Sequence, residues 1–277
     1  MNLRKLYYGL SPKLRRTARR LYYLPIDLYE GVLHKRHPLQ PPRGKIYTDG
    51  GDFLKEGRDF LIHFKDLCKL EPHHRVLDIG SGIGRMAIPL TEYLNEKGTY
   101  EGFDIVEEGV AWCQQKISSK YPNFNFKLVT LKNDLYSKEG SSAKDFIFPY
   151  GNKEFDFSFL TSVFTHMLPE PVENYLKEIS RVLKPNGRCL ATFFILDEAV
   201  KKRISNNEVF NFKYDYGNYR LMDDKVKSAN VAFELEFINK LAAKVGLKIE
   251  GYHPGYWSGL KKEDCLNFQD LLVFSKS

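Results

Sequence analysis

The chain has 277 residues, 43% of them hydrophobic and 14% aromatic, a composition that fits a folded domain with a buried core and excludes a disordered polymer. Its net charge of +7 is local: residues 1–37 carry nine basic side chains against Asp27 and Glu30, while the other 33 bases and 33 acids balance. A basic groove across the body is therefore excluded, nucleic acid is an unlikely partner by charge, and no apolar run approaches the ~20 residues of a membrane span.

The basic segment comes first. Leu14, Ala18, Leu21 and Tyr22 fall on one side of a helical wheel and Arg15, Arg16, Arg19 and Arg20 on the other. Two readings stand. The helix either lies on an anionic membrane surface, or packs its apolar side onto the domain or a second subunit and leaves a solvated basic face. Pro38–Pro42 then separates a helical leader, residues 1–42, from the body at 43–277. The leader has no apolar core region of the kind a signal peptide needs. Cys68, Cys113, Cys189 and Cys265 are too scattered for a disulfide framework or a metal cluster, so no metal and a cytoplasmic location are expected, peripheral at the inner membrane face on the first reading.

From there the hydrophobic period alternates between strand and helix. Phe60, Leu61, Phe64, Leu67 and Cys68 mark a helix ending near Glu71-Pro72, and Arg75–Ile79 a strand that runs into a glycine turn. A helix is expected to about Glu96, a strand over Thr99–Ile105, a helix over Val106–Lys120 and a strand over Asn123–Val129. After a polar loop at 137–145 follow a strand over Glu154–Thr161, a helix stopping at Pro185-Asn186-Gly187 and a strand over Arg188–Leu196. Residues 197–230 interrupt the pattern and read as an acceptor-side insertion. A helix capped by Gly246 and strands at Leu247–Tyr252 and Asp270–Lys276 close the chain. Five β-then-α units imply parallel strands, so the expected fold is α/β and doubly wound, with a mostly parallel seven-stranded sheet of Rossmann-like type and ligands at the carboxyl edge.

At that edge stands Asp78-Ile79-Gly80-Ser81-Gly82-Ile83-Gly84-Arg85. The glycines let backbone approach a ligand, as in dinucleotide folds, but Arg85 occupies the place of the third dinucleotide glycine. Asp78 would repel a pyrophosphate and can meet an ammonium instead. Asp104, at the end of the next strand, can accept from both ribose hydroxyls. The ligand expected is a nucleoside with an amino-acid tail, which counts against an NAD-dependent oxidoreductase.

Over residues 72–196 these features resemble the class I S-adenosylmethionine-dependent methyltransferases. The resemblance implies S-adenosyl-L-methionine as cofactor. It assigns Asp78, Gly80, Ser81, Gly82 and Gly84 to its methionine part, Asp104 to its ribose and Ile105 to its adenine, with Asn133 or Asp134 as a second adenine neighbour and Thr161 at the end of the fourth strand. His166, just beyond, is the candidate base, since imidazole titrates near neutrality, although histidines at such junctions also serve as caps or packing. Tyr47 and Gly50-Gly51 can cover the cofactor. Phe210, Phe212, Tyr214, Tyr216, Tyr219, His253, Tyr256 and Trp257 either wall an apolar or sugar-like acceptor or simply pack the insertion. The expected reaction is methyl transfer to a small-molecule, sugar or lipid-linked acceptor. A non-catalytic cofactor-binding or membrane-docking protein on the same fold is the alternative.

Overall fold

A computed structural model describes residues 12–48, 51–131, 140–204, 210–227 and 229–277. The central sheet is built by β1 (Arg75–Ile79), β2 (Thr99–Asp104), β3 (Phe124–Leu128), β4 (Phe155–Leu160), β5 (Leu183–Phe193), β10 (Leu247–His253) and β11 (Asp270–Lys276), in the order β10-β11-β5-β4-β1-β2-β3. Neighbours from β3 through β5 pair in parallel, and β11 runs antiparallel between β5 and β10. The order reverses beside β1, which opens a crevice at the carboxyl ends of β1 and β4.

Both sheet faces are covered, and the two-residue period of each strand divides its side chains between them. Val76, Phe157, Phe159 and Leu190 join the core beneath α2 (Phe53–Cys68), α3 (Ala87–Tyr93) and α4 (Glu107–Cys113). Leu77, Ile79, Leu160 and Ala191 join the core beneath α5 (Pro169–Val182) and α7 (Leu235–Lys244). Helix α2 starts where Asp52 accepts from the backbone N–H groups of Leu54 and Lys55, at 3.1 and 3.0 Å. Pro89 is tolerated in α3 because it lies in the first turn, where its missing N–H would have no partner.

Several expected boundaries move. The helix expected to reach Glu96 ends at Tyr93, and the one expected over Val106–Lys120 is α4 followed by a wider turn at Gln114–Ser118. Among the described residues no α-helix joins β3 to β4; a single 3-10 turn at Ala143–Asp145 stands in the polar loop expected there, so β3 lacks the helix that five β-then-α units imply. The strand expected over Arg188–Leu196 divides. β5 pairs with β11 as far as Phe193, and β6 (Ile195–Leu196) peels away. The carboxylate of Asp270 receives the N–H of Ile195 at 2.6 Å and so fixes that corner.

β6 belongs to a second sheet with β7 (Tyr214–Asp215), β8 (Tyr219–Leu221) and β9 (Val231–Glu234), in the order β6-β9-β8-β7. With α6 (Glu198–Ile204) it surrounds a small core of Phe194, Leu196, Val200, Ile204, Phe212, Ala232 and Trp257. The insertion is thus a folded layer, and its aromatic density builds that core.

Helix α1 (Pro12–Val32) is amphipathic as expected, but its apolar side does not pack onto the body. Its polar side meets the body: Asp27 accepts from the backbone N–H groups of Arg43 and Gly44 at 2.7 and 2.9 Å, Glu30 pairs with Arg43 at 2.7 Å, and Arg20 pairs with Glu108. Its apolar side faces outward. No described helix is long and apolar enough to cross a membrane.

Candidate active site

The glycine turn follows β1 because three alternate backbone positions, Gly80, Gly82 and Gly84, take positive φ values of 86°, 57° and 85°. The turn is tied to the neighbouring strand: the N–H groups of Gly80 and Ser81 both donate to the carbonyl of Phe103, at 2.9 and 3.0 Å. Asp104 completes the tie. One carboxylate oxygen accepts from the N–H of Gly82 and the other from that of Val106, each at 2.8 Å. The acid is therefore held rigidly by backbone, and each oxygen keeps a second lone pair for a ligand hydroxyl. Burial pushes its carboxyl above the usual range, against the pull of these N–H donors.

Asp78 is buried at the opening of the same turn. Its carboxyl is pushed up to about 8 by burial and by the charge of Asp104, while a hydrogen bond from the Tyr100 hydroxyl opposes the shift. Such a group is poised for a cation, whose arrival favours the carboxylate.

The opposite wall comes from the end of β4. Ser162 is not glycine, yet it sits at φ 56°. Its N–H donates to Thr192 Oγ1 at 2.7 Å and its hydroxyl to Gln269 Oε1 at 3.1 Å, so β5 and the approach to β11 hold the strained bend in place. The bend delivers Val163 toward the glycine turn and opens the 3-10 turn Phe164–His166.

A single cavity gathers these walls. Asp78, Gly80, Ser81, Gly82, Asp104, Ile105, Thr161 and His166 all line it. Gly84 does not: a Cβ there would come within 2.9 Å of Cys113 Sγ and Ile117 Cδ1, so its smallness serves the packing of the turn against α4 and the turn after it. Asn133 and Asp134 lie outside the described residues, as does Gly50. Tyr47 lines the cavity and Gly51 does not. None of the eight aromatic and histidine side chains of the insertion and the 252–257 stretch lines it either; Phe212 and Trp257 fill the small core, and Tyr216 stacks on Tyr219.

Sequence reasoning missed several wall residues. Leu131 and Tyr175 join Val163 and Met167, of the segment after β4, to give the cavity its apolar side. Arg85, read from the sequence only as a misfit to a dinucleotide motif, joins Glu56 and Thr48 and stacks over Phe53 at 5.4 Å, which clamps the Tyr47–Thr48 segment over the glycine turn. Gly109 was equally silent. A Cβ there would lie 2.3 Å from the Gly82 carbonyl oxygen and against the Tyr47 hydroxyl, so only glycine lets α4 approach the turn. A glycine in the first turn of a helix that follows such an acid is the signal that could have found it.

The donor set fits one ligand type: a buried acid for an ammonium, a backbone cradle, a second acid for vicinal hydroxyls and an apolar side for a base. The methyltransferase domain family matches residues 70–221, more than half of the chain. The chain belongs to that family. It is a class I S-adenosylmethionine-dependent methyltransferase, and S-adenosylmethionine is its methyl donor. It is similar to the ubiquinone/menaquinone biosynthesis C-methyltransferase UbiE of Wigglesworthia glossinidia brevipalpis, with 23% identity over 227 residues, covering 74% of this chain and 85% of that one. Among solved structures, a protein of Pyrococcus horikoshii superposes with a TM-score of 0.55 at 16% identity, covering 89% of this methyltransferase and 99% of its counterpart. The [4+2]-cyclase SpnF superposes at 0.52 and 16% identity, covering 94% and 95%. At these identities the two structures share the methyltransferase's fold and no more.

Proposed function

We propose that the amino-acid end of S-adenosylmethionine lies at Asp78 and the Gly80–Gly82 turn, its ribose at Asp104 and its adenine beside Ile105, and that a small apolar or lipid-linked acceptor enters next to His166. The observation that carries this reading is that both acids and the His166 turn face one cavity. When bound, the cofactor supplies an electrophilic methyl group on a sulfonium. The chain's own residues then do three things. The glycine turn and Asp104, fixed by backbone hydrogen bonds, align the donor without reorganisation. The apolar wall of Leu131, Val163, Met167 and Tyr175 excludes water. The imidazole of His166 accepts the proton that leaves the acceptor as the methyl group arrives.

The apolar wall supports an apolar acceptor in preference to a sugar. The name of the Wigglesworthia relative, a C-methyltransferase of quinone biosynthesis, supports carbon as the methylated atom. Residues 43–277 make up the catalytic domain on this reading, with the insertion as its acceptor-side cover; β9, which pairs with β8 of the insertion, contacts the His166 turn and supports that role. Titration with S-adenosylhomocysteine tests the cofactor site, and absence of binding to the folded protein ends the proposal. A search of methylated extracts for a one-methylene mass gain identifies the acceptor.

His166→Ala is expected to lower kcat by roughly 10²- to 10³-fold and leave KM for the cofactor within about threefold. Unchanged kcat, measured by methyl transfer from labelled cofactor, removes the histidine from the reaction.

Asp78 gives a pH signature. Its carboxyl, pushed up to about 8 by burial, holds a proton at neutrality, and an ammonium beside it expels that proton. The sign follows: binding releases a proton below about pH 8, so affinity rises with pH between about 6 and 7.5, by at most roughly tenfold per unit. Calorimetry in buffers of different ionisation enthalpy counts the proton. Asp78→Asn is expected to abolish its release, and a wild-type count in that variant would refute the linkage.

A further inference from the structure

Helix α1 turns inside out the usual rule for a surface helix. A helix on a globular body buries its apolar stripe and shows its charges to water. Here the charges are turned in, onto Arg43, Gly44 and Glu108, while the stripe of Leu21, Tyr22, Leu24, Leu28, Tyr29 and Val32 is turned out. Exposure of these side chains runs from 48% for Leu24 to 76% for Tyr22, which makes a continuous apolar ridge along most of the helix. Single exposed leucines need no explanation, but a contiguous stripe marks a contact surface.

We propose that this ridge docks the enzyme on an anionic phospholipid surface, with α1 lying in the plane of the interface. Charge selects this occupant. The ridge belongs to the segment 1–37 that carries the whole net charge of +7. A symmetric contact with a second copy would bring two such segments together and oppose like charges, whereas an anionic bilayer attracts both the segment and Lys35, whose ammonium lies over the Tyr29 ring at the end of the ridge. Tyr22 and Tyr29 suit the headgroup level, where a ring sits in the apolar layer and its hydroxyl stays wet. At 21 residues α1 is long enough for interfacial docking, and it does not qualify as a membrane span.

The docking surface is also joined to the cofactor cavity. Arg20 holds Glu108 in the first turn of α4, four residues after Asp104, and the Arg43–Lys45 turn against α1 leads directly into Tyr47 and Thr48 of the cavity wall. Docking therefore fixes the membrane relative to the active site. The consequence that the acceptor is lipid-borne rests on the methyl transfer proposed above; the docking itself does not.

Flotation of the full-length protein with vesicles of phosphatidylcholine, alone or mixed with phosphatidylglycerol, tests the proposal. The wild type is expected to float with the mixed vesicles at least tenfold more than with the neutral ones, and to be released by high salt. The double variant Leu21→Glu/Leu28→Glu is expected to lose at least tenfold of this partitioning with an unchanged melting curve. Wild type that fails to float, or a double variant that floats equally, overturns the proposal. So does a concentration-dependent dimer in light scattering that the double variant abolishes without vesicle binding by the wild type, which assigns the ridge to a second copy. S-adenosylhomocysteine titration of the same samples keeps the two proposals apart: lost cofactor binding in a protein that floats sinks the site and leaves the docking intact.

Discussion

Replacing Asp104 with alanine is expected to weaken S-adenosylhomocysteine binding by two to three orders of magnitude. The effect has two sources. The carboxylate would accept two charge-assisted hydrogen bonds from the ribose, each worth roughly 1.5–3 kcal/mol. It also holds the Gly82 and Val106 N–H groups, so its removal frees the glycine turn from the end of β2 and adds an ordering cost to binding. With each bond at the lower end of that range and a small ordering cost added, a total of about 3–4 kcal/mol corresponds to roughly 10²- to 10³-fold. Asp104→Asn separates the sources. It keeps the shape and one carbonyl acceptor but loses the charge, and its affinity is expected between those of wild type and alanine variant. Calorimetry on protein verified as folded by circular dichroism measures both, and an alanine variant binding within threefold of wild type removes Asp104 from the site.

The second large effect concerns stability. Asp270→Ala is expected to destabilise the protein by about 3–5 kcal/mol, because three donors lose one buried acceptor. The Asp270 carboxylate receives the N–H of Ile195 at 2.6 Å, the N–H of Gly255 at 2.7 Å and the Trp257 indole N–H at 2.9 Å. It thereby joins β11, the start of the insertion and the loop before its small core. For a chain of this size the loss corresponds to a melting temperature lower by roughly 6–15 °C. Its pH signature has a definite sign. Burial pushes the Asp270 carboxyl up to about 7, above its unfolded value, so its favourable contribution is complete below the ordinary carboxylate range and is lost as pH rises through about 7. Asp270→Asn, which cannot ionise, is expected to flatten that part of the stability profile while remaining less stable than wild type. A thermal melt series across pH checks both, and an alanine variant melting within 2 °C of wild type would show that the corner is held by other contacts.

The glycine-turn side of the cavity is local in sequence, which is why it was legible. Asp78 and the glycines sit within one strand–turn–helix unit, and Asp104 is one unit further, so spacing alone brings the two acids to one sheet edge. Strand alternation was equally readable: Arg75–Ile79 and Asp270–Lys276 have the boundaries their apolar patterns suggest, because a strand covered on both faces is a short unbroken apolar run. The remaining walls of the cavity were not legible. Tyr175, Leu131 and Thr48 reach the cavity from three separate elements, and nothing in their neighbours along the chain marks them. The aromatic insertion left two readings open for the same reason, since a pocket wall and a miniature core draw on the same residues, and Phe212 meeting Trp257 at 5.6 Å in the small core decides for packing.

The amino-acid sequence by itself determined the α/β alternation, the sheet edge at which the cavity opens and the two acids that meet there, because these depend on periodicities and spacings within a β–α unit. The tertiary structure alone decided which way α1 turns its apolar stripe, how Arg85 and Gly109 serve the glycine turn, and where β5 gives way to β6. Each of those depends on a partner far along the chain, and a wheel or a run of residues states which side is apolar without stating what that side will meet.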